Sequence, residues 1–399
     1  MTRKVVICGV GMVPFKKPGQ SDGYEVMGAN AAHAALTDAG LTYDKVDQAF
    51  ASYVYGDSCA GQAALYKVGI TGVPITNVNN NCASGSTAFA LAAQAVKFGV
   101  SECVMAVGFE QMNPGAIEMV FPDRTSPLQR HTDALADLMG LNEEERNLPP
   151  AVMMFGCQAE LLMNNYGVSE DALARITMKS RVHAKHNPMA IYRDALTQDD
   201  ILAKPPIYRG LRKLFACPPS CGAASVIVCS EAFAKKHNLS IQVTLKGSGW
   251  CSDQAEYFTG DPLDITFKGL SKHAAELAYA DAGVGPEDID VIELHDCFTS
   301  NEAITYGALG LCRDDEIEKF ILEGNNTYGG KYVVCPSGGL LAKGHPLGAT
   351  GLAQVTELVQ QLRGQSGQRQ VAGARLALQH NGGLGSAGFV NILEKVNFN

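Results

Sequence analysis

Ala34-Ala-Leu-Thr-Asp-Ala-Gly-Leu41, followed by Val46-Asp-Gln-Ala-Phe50, returns later in the chain as Ala278-Tyr-Ala-Asp-Ala-Gly-Val284 followed by Ile289-Asp-Val-Ile292. Asp38 and Asp281 stand 243 positions apart. Each copy reads as a helix closed by a C-terminal glycine, a short turn, then an apolar strand. The correspondence continues downstream. Residues 74–78 read as a strand, Asn79-Asn-Asn81 as a turn, 82–98 as an Ala-rich helix stopped by Gly99, and 103–107 as the next strand. In the second half residues 338–343 lead to Gly344-His345-Pro346, a helix to about Arg363 with Gly364 as its stop, and a strand at 375–379. Gly222-Ala-Ala-Ser-Val-Ile-Val-Cys229 likewise matches Gly385-Ser-Ala-Gly-Phe-Val-Asn-Ile392. The same order of elements twice, with an almost wholly apolar helix after Cys82, predicts an α/β architecture whose two similar halves cover each other's helices.

One stretch breaks the repeat. Residues 111–217 carry Pro149-Pro150, Pro188, Pro205-Pro206 and charged patches such as Glu143-Glu-Glu-Arg146, with Pro218-Pro219 just beyond, and read as an insertion in the first half. The expected division is therefore 1–110 plus 218–240 for one half, 111–217 for an inserted loop domain, and 241–399 for the other half. Long insertions of this kind are where substrate selection is expected.

The 399 residues are 46% hydrophobic and 18% charged, and no run of about 18 apolar residues occurs, so no membrane span is expected. A net charge of −9 provides no basic field for a phosphate backbone, which argues against nucleic acid as a partner. The 12 cysteines are scattered singly among apolar neighbours, as in a reducing compartment. Lys4-Val-Val-Ile-Cys8 reads straight into a strand and Val396-Asn-Phe-Asn399 is no Ser-Lys-Leu address, so no targeting signal is read here.

Asn81-Cys82-Ala-Ser-Gly-Ser86 places a thiol at the start of a helix, where unpaired N–H groups and the macrodipole favour the thiolate. Small neighbours leave room for a carbonyl, and backbone N–H groups are at hand for the oxyanion that attack creates. Gly344-His345-Pro346-Leu-Gly348 presents an imidazole from the corresponding turn of the second half, so a pseudo-twofold would bring Cys82 and His345 together. His295-Asp-Cys297-Phe298 and Gln379-His380-Asn-Gly382-Gly383 each follow a strand, where α/β sites gather. Metal binding competes for a Cys/His collection, but Cys217-Pro-Pro-Ser-Cys221 is the one close cysteine pair and no second CxxC or HxxxH accompanies it, so no metal is expected. The glycine pairs form neither a dinucleotide fingerprint nor a P-loop, and no GxSxG elbow appears.

Together these four segments resemble the thiolase superfamily, and His295-Asp-Cys-Phe298 resembles its SCP2-type branch, SCP2-thiolase. Val78-Asn-Asn-Asn-Cys82, Tyr53-Val-Tyr-Gly-Asp57, Asn326-Thr-Tyr-Gly-Gly-Lys331, Pro336-Ser-Gly-Gly339 and Lys343-Gly-His-Pro-Leu-Gly-Ala-Thr-Gly351 extend the likeness over essentially the whole chain. The resemblance implies a five-layer αβαβα thiolase fold of two duplicated halves with an inserted loop domain, acting as a homodimer or homotetramer. It implies an acyltransferase that cleaves 3-oxoacyl-CoA with CoA, in fatty acid β-oxidation, with coenzyme A as co-substrate and no tightly bound cofactor. Cys82 is then the nucleophile, His345 assists its deprotonation and helps bind the thioester oxygen, and Cys297 is the acid/base, in place of a second cysteine that most thiolases carry where His380 stands here. His295 holds a water or the thioester oxygen in one oxyanion hole, and N–H groups of Cys82 and the Gly382 loop form the other. His380 is expected to line the pocket or act on protons. The location implied is the peroxisome in a eukaryote and the cytoplasm in a bacterium. Two alternatives stand beside this reading, a ketosynthase-like condensing enzyme and a catalytically weak lipid or acyl-CoA carrier.

Overall fold

The computed structural model describes residues 2–115 and 119–396, so the ending Asn397-Phe-Asn399 lies outside the described residues. The first half contributes strands β1 (Val5–Met12), β2 (Gln48–Ser52), β3 (Ile75–Val78) and β4 (Cys103–Gln111). A small separate hairpin, β5 (Pro206–Tyr208) and β6 (Leu211–Arg212), lies within residues 111–217, and β7 (Cys221–Ser230) returns to the main sheet. The second half supplies β8 (Val243–Cys251), β9 (Val291–Glu293), β10 (Val333–Val334), β11 (Leu376–Gly383) and β12 (Ala387–Lys395).

The duplication is written into the strand order, β3-β2-β4-β7-β1-β8-β12-β11-β9-β10. Read outward from the β1/β8 seam, each half places its first strand, its last, its fourth, its second and its third. The directions agree as well. β7 runs antiparallel to β1 and β4, with β4, β2 and β3 mutually parallel, just as β12 runs antiparallel to β8 and β11, with β11, β9 and β10 parallel.

Local chemistry repeats with the topology. The helices Tyr24–Ala39 and Lys268–Ala282 each end on a glycine in the left-handed region, Gly40 at φ 68° and Gly283 at φ 65°. Asp47 accepts the N–H groups of Glu102 and Cys103 (2.7 and 3.0 Å), and Asp290, again 243 positions on, accepts those of Arg375 and Leu376 (2.7 and 2.9 Å). Each aspartate thereby fixes the entry of the neighbouring parallel strand.

Two central helices, Ser84–Lys97 and Thr350–Arg363, pack on each other between the sheet halves, while the two glycine-capped helices cover the outer faces. This gives the layers αβαβα. The central pair crosses at backbone distance: a Cβ on Gly85 would stand 2.9 Å from Gly348 O, and one on Gly351 would stand 2.2 Å from Ser86 Oγ. Leu352, Val355, Leu358 and Leu362 are buried against Ala88, Phe89, Ala92 and Val96, each large side chain contributing about 1.5–3 kcal/mol. At the far ends Lys97 reaches Asp281 (3.2 Å) and Arg363 reaches Asp38 (2.7 Å), so each half holds the other's central helix by the repeated aspartate.

Candidate active site

The turn that carries Cys82 is closed by its own side chains. Asn81 takes φ 51°, a left-handed conformation that asparagine tolerates, its N–H is accepted by Asn79 Oδ1 (3.0 Å), and Ser84 Oγ donates to Asn81 O (2.6 Å). The helix begins at Ser84 with Ala83 as its cap, two residues later than expected from sequence, because this turn engages the backbone first. The thiolate expectation is overturned as well. Cys82 is 4% exposed, and burial pushes its thiol up to about 12, while the N–H groups of Leu384 and of Cys82 itself pull it down. Burial outweighs a helix terminus that starts two residues away.

His345 arrives from the other half on a loop that the first half clamps. Glu110 accepts Gly348 N–H (3.0 Å) as well as those of Val54 and Tyr55, and Ser52 Oγ donates to Gly348 O (2.7 Å). The backbone N–H of His345 itself donates to Ser220 Oγ (2.9 Å). Here too the helix starts later than expected, at Thr350, since Pro346 O first closes a turn with the N–H groups of Ala349 and Thr350.

The two imidazoles are held in opposite tautomers. Thr350 Oγ1 gives its proton to Pro346 O (2.8 Å) and so accepts Nδ1–H of His345 (2.7 Å), which leaves Nε2 of His345 as a buried lone pair without a partner among the described residues. For His295 the direction is set through a chain of amides. Gln354 donates to the carbonyls of Leu294 and His380 (2.9 and 3.0 Å), so its oxygen accepts from Gln379 (2.8 Å). Gln379 also donates to Ser86 Oγ (2.8 Å), Ser86 donates to Asn381 Oδ1 (3.2 Å), and Asn381 Nδ2 is left to donate to Nδ1 of His295 (3.1 Å). The proton of His295 therefore sits on Nε2. The rings meet edge to face at 5.1 Å, and ligand atoms of Cys82, His295 and His345 all lie within 4.8 Å of one another. Burial holds His345 down at about 3 and His295 well below the usual imidazole range, so both are neutral: one offers a lone pair, the other a donor.

Cys297 is 4% exposed and burial raises its thiol well above the usual range, with Cys217 and Cys82 close enough to add to the shift. Cys217 donates its N–H to Cys297 O (2.8 Å) beside a bridge between Ala216 and Phe298, so the end of the inserted segment is stitched to the His295-Asp-Cys-Phe loop. Asp296 anchors that loop by accepting the N–H groups of Leu340 and Leu341 (2.8 and 3.3 Å). Cys82, His295, Cys297 and His345 thus line one cavity of about 490 Å³, and Cys217, singled out in the sequence only as half of a close cysteine pair, is a third thiol on its wall.

His380 and Gly382 stand elsewhere than expected. His380 lies behind His295, outside the cavity wall: its Nδ1 accepts the His295 N–H (3.3 Å) and its Nε2–H donates to Ser271 Oγ (2.9 Å), so both nitrogens are engaged. Gly382 faces Gly388 in the β11/β12 ladder and makes room for Phe267, which a Cβ would meet at 2.8 Å. The N–H that acts on the Cys82 sulfur from this loop is that of Leu384. Asn381, Thr350, Ser220 and Glu110 carry no chemical signal of their own in sequence, although Asn381 and Thr350 lie within the segments around His380 and His345.

The family model for the thiolase N-terminal domain matches residues 5–204, and that for the thiolase C-terminal domain-like region matches 256–395. Sterol carrier protein 2 of Homo sapiens is 46% identical over 98% of this chain and 72% of its own length, and the acetyl-CoA acetyltransferase of Methanothermobacter thermautotrophicus is 31% identical over 98% and 100%. Among solved structures, the Ltp2-ChsH2(DUF35) aldolase superposes with a TM-score of 0.83 at 23% identity, covering 99% of both chains. Human mitochondrial 3-ketoacyl-CoA thiolase in complex with CoA gives 0.72 at 19%, covering 100% of both. With both family domains matched in order and the strand order doubled about one cavity, the chain belongs to the thiolase family, in its SCP2-type branch.

Proposed function

We propose that this thiolase-family acyltransferase catalyses the thiolytic cleavage of a 3-oxoacyl-CoA by coenzyme A, reversibly, through an acyl-Cys82 intermediate. The observation that carries the reading is the meeting of a thiol, a lone pair on His345 Nε2, a donor on His295 Nε2 and a second protonated thiol at Cys297 around one cavity. His345 takes the Cys82 proton as sulfur attacks the 3-keto carbon. The C2–C3 bond then breaks, leaving the acyl group on Cys82 and an acetyl-CoA or propanoyl-CoA enolate whose thioester oxygen His295 Nε2–H stabilises. Cys297 protonates C2 of the enolate, then takes the thiol proton of incoming CoA. That thiolate attacks acyl-Cys82 and releases acyl-CoA, and His345 returns its proton to Cys82. A neutral Cys297 suits the first role, since an acid must hold its proton until the enolate forms.

CoA as co-substrate is supported by the CoA-bound fold relative. Assembly as a homodimer or homotetramer is supported by β3, an edge strand that no other described strand covers on its outer side. No described helix is long and apolar enough to cross a membrane. The sterol carrier relatives are eukaryotic, and the setting proposed for this chain is the peroxisome and fatty acid β-oxidation.

Steady-state thiolysis across short, long, 2-methyl and sterol-derived 3-oxoacyl-CoAs tests the reaction, with ping-pong kinetics and a mass increment on Cys82 expected. Cys297→Ala should lower thiolysis by about 10³-fold or more. A variant that kept full exchange would support a condensing enzyme, and absence of any Cys82 adduct would support a carrier.

A further inference from the structure

Arg181 stands on the helix Glu170–Ala184 of the inserted segment, 9% exposed, on the wall of the cavity that holds Cys82 and His345. Its Nε is enclosed without a hydrogen-bond partner among the described residues, and its guanidinium lies over the Tyr192 ring at 4.2 Å. Burial works against its charge, and only Tyr192 and the exposed Asp194 favour it. Nearby cations are treated differently. Lys179, half a turn away, is paired with Glu302, Arg209 with Glu145 and Glu160, and Arg212 with Glu170. A guanidinium enclosed with its Nε unpartnered is costly, and the Tyr192 ring offsets only part of that cost. Lys213 and Thr177 also line this cavity, together with apolar side chains such as Pro149, Ala151, Val152, Phe155 and Ile207.

Resting on the thiolase reading above, we propose that this cavity selects a 3-oxoacyl thioester whose acyl group carries a carboxylate, held by the guanidinium fork of Arg181 with Lys213 beside it. A planar fork matches a carboxylate through two parallel hydrogen bonds. The phosphates of CoA suit the position less well: they are multiply charged and sit far along the pantetheine arm from the thioester. A single enclosed cation sharing a cavity of about 490 Å³ with the nucleophile fits a group close to the reacting carbonyl.

The test compares 3-oxoacyl-CoAs of equal chain length ending in carboxylate or methyl. Wild type should favour the carboxylate by about tenfold or more in kcat/KM, and Arg181→Gln should lower that ratio by about 10–100-fold, with partial recovery in Arg181→Lys. A wild-type ratio at or below one overturns the proposal, whether or not the variants fold. An equal loss on both substrates together with weaker calorimetric binding of CoA itself overturns it too, by assigning Arg181 to a phosphate. If wild type cleaves neither substrate, the thiolase reading fails separately. Calorimetric binding of carboxylate-ended and methyl-ended saturated acyl-CoAs to wild type and Arg181→Gln then decides this inference by the same ratio.

Discussion

Asn381 donates Nδ2–H to Nδ1 of His295 across 3.1 Å, and the direction of that bond is imposed by Ser86, Gln379 and Gln354 rather than by the histidine. Asn381→Asp replaces the donor by an acceptor, so the neutral imidazole moves its proton to Nδ1 and turns a lone pair toward the substrate. We expect kcat for thiolysis to fall by about 10²–10³ with KM little changed, the loss typical of one oxyanion-hole donor. A change within threefold would show that His295 does not donate.

Burial keeps Cys82 and His345 both neutral, the thiol at about 12 and the imidazole at about 3. Alkylation of Cys82 by iodoacetamide in the free enzyme, followed by mass spectrometry, should therefore rise about tenfold per pH unit from pH 7 to 10. A plateau beginning below pH 8 would reveal a preformed thiolate–imidazolium pair.

Glu110 clamps the His345 loop, and burial raises its carboxyl to about 7 against the pull of three N–H donors. The native state then holds this proton more tightly than the unfolded chain does, so its stabilising effect is complete below about pH 4.5 and is lost as pH rises toward 7. Urea unfolding of wild type and Glu110→Gln should show the wild-type advantage shrinking by about 3 kcal/mol between pH 4 and 8. The opposite slope would mean that the N–H groups of Val54, Tyr55 and Gly348 outweigh burial.

Lys179 and Glu302 form a buried ion pair joining the inserted helix Glu170–Ala184 to the second-half helix Thr299–Ala308, and Tyr306 donates to the same carboxylate. Lys179→Met leaves a buried charge uncompensated and should cost about 3–5 kcal/mol in urea unfolding. A loss below 1 kcal/mol would place the inserted helix outside the cooperative unit.

The double strand order follows from features visible in one dimension. The glycine caps at Gly40 and Gly283 and the aspartates at 47 and 290 act on residues close by in the chain or on the next strand, so their spacing recurs wherever the half-fold recurs. Cys82, His345, His295 and Cys297 were legible for a similar reason, because each sits in a small-residue turn or at a strand end.

What the sequence by itself determined is the duplication, the α/β class, the family and the four side chains on the wall of the cavity. What only the tertiary structure decided is their state. The neutrality of Cys82 comes from desolvation, the tautomer of His295 comes from a chain of amides reaching back to Gln354, that of His345 comes from the Thr350 hydroxyl, and His380 is held behind the wall by its bond to Ser271. Arg181 belongs with these, since an unpaired cation is recognised only once everything around it is in place. Burial and hydrogen-bond direction depend on contacts between separate elements, from Ser86 of the first half meeting Gln379 and Asn381 of the second to Ser271 meeting His380 within it, and these exist only once the chain has folded.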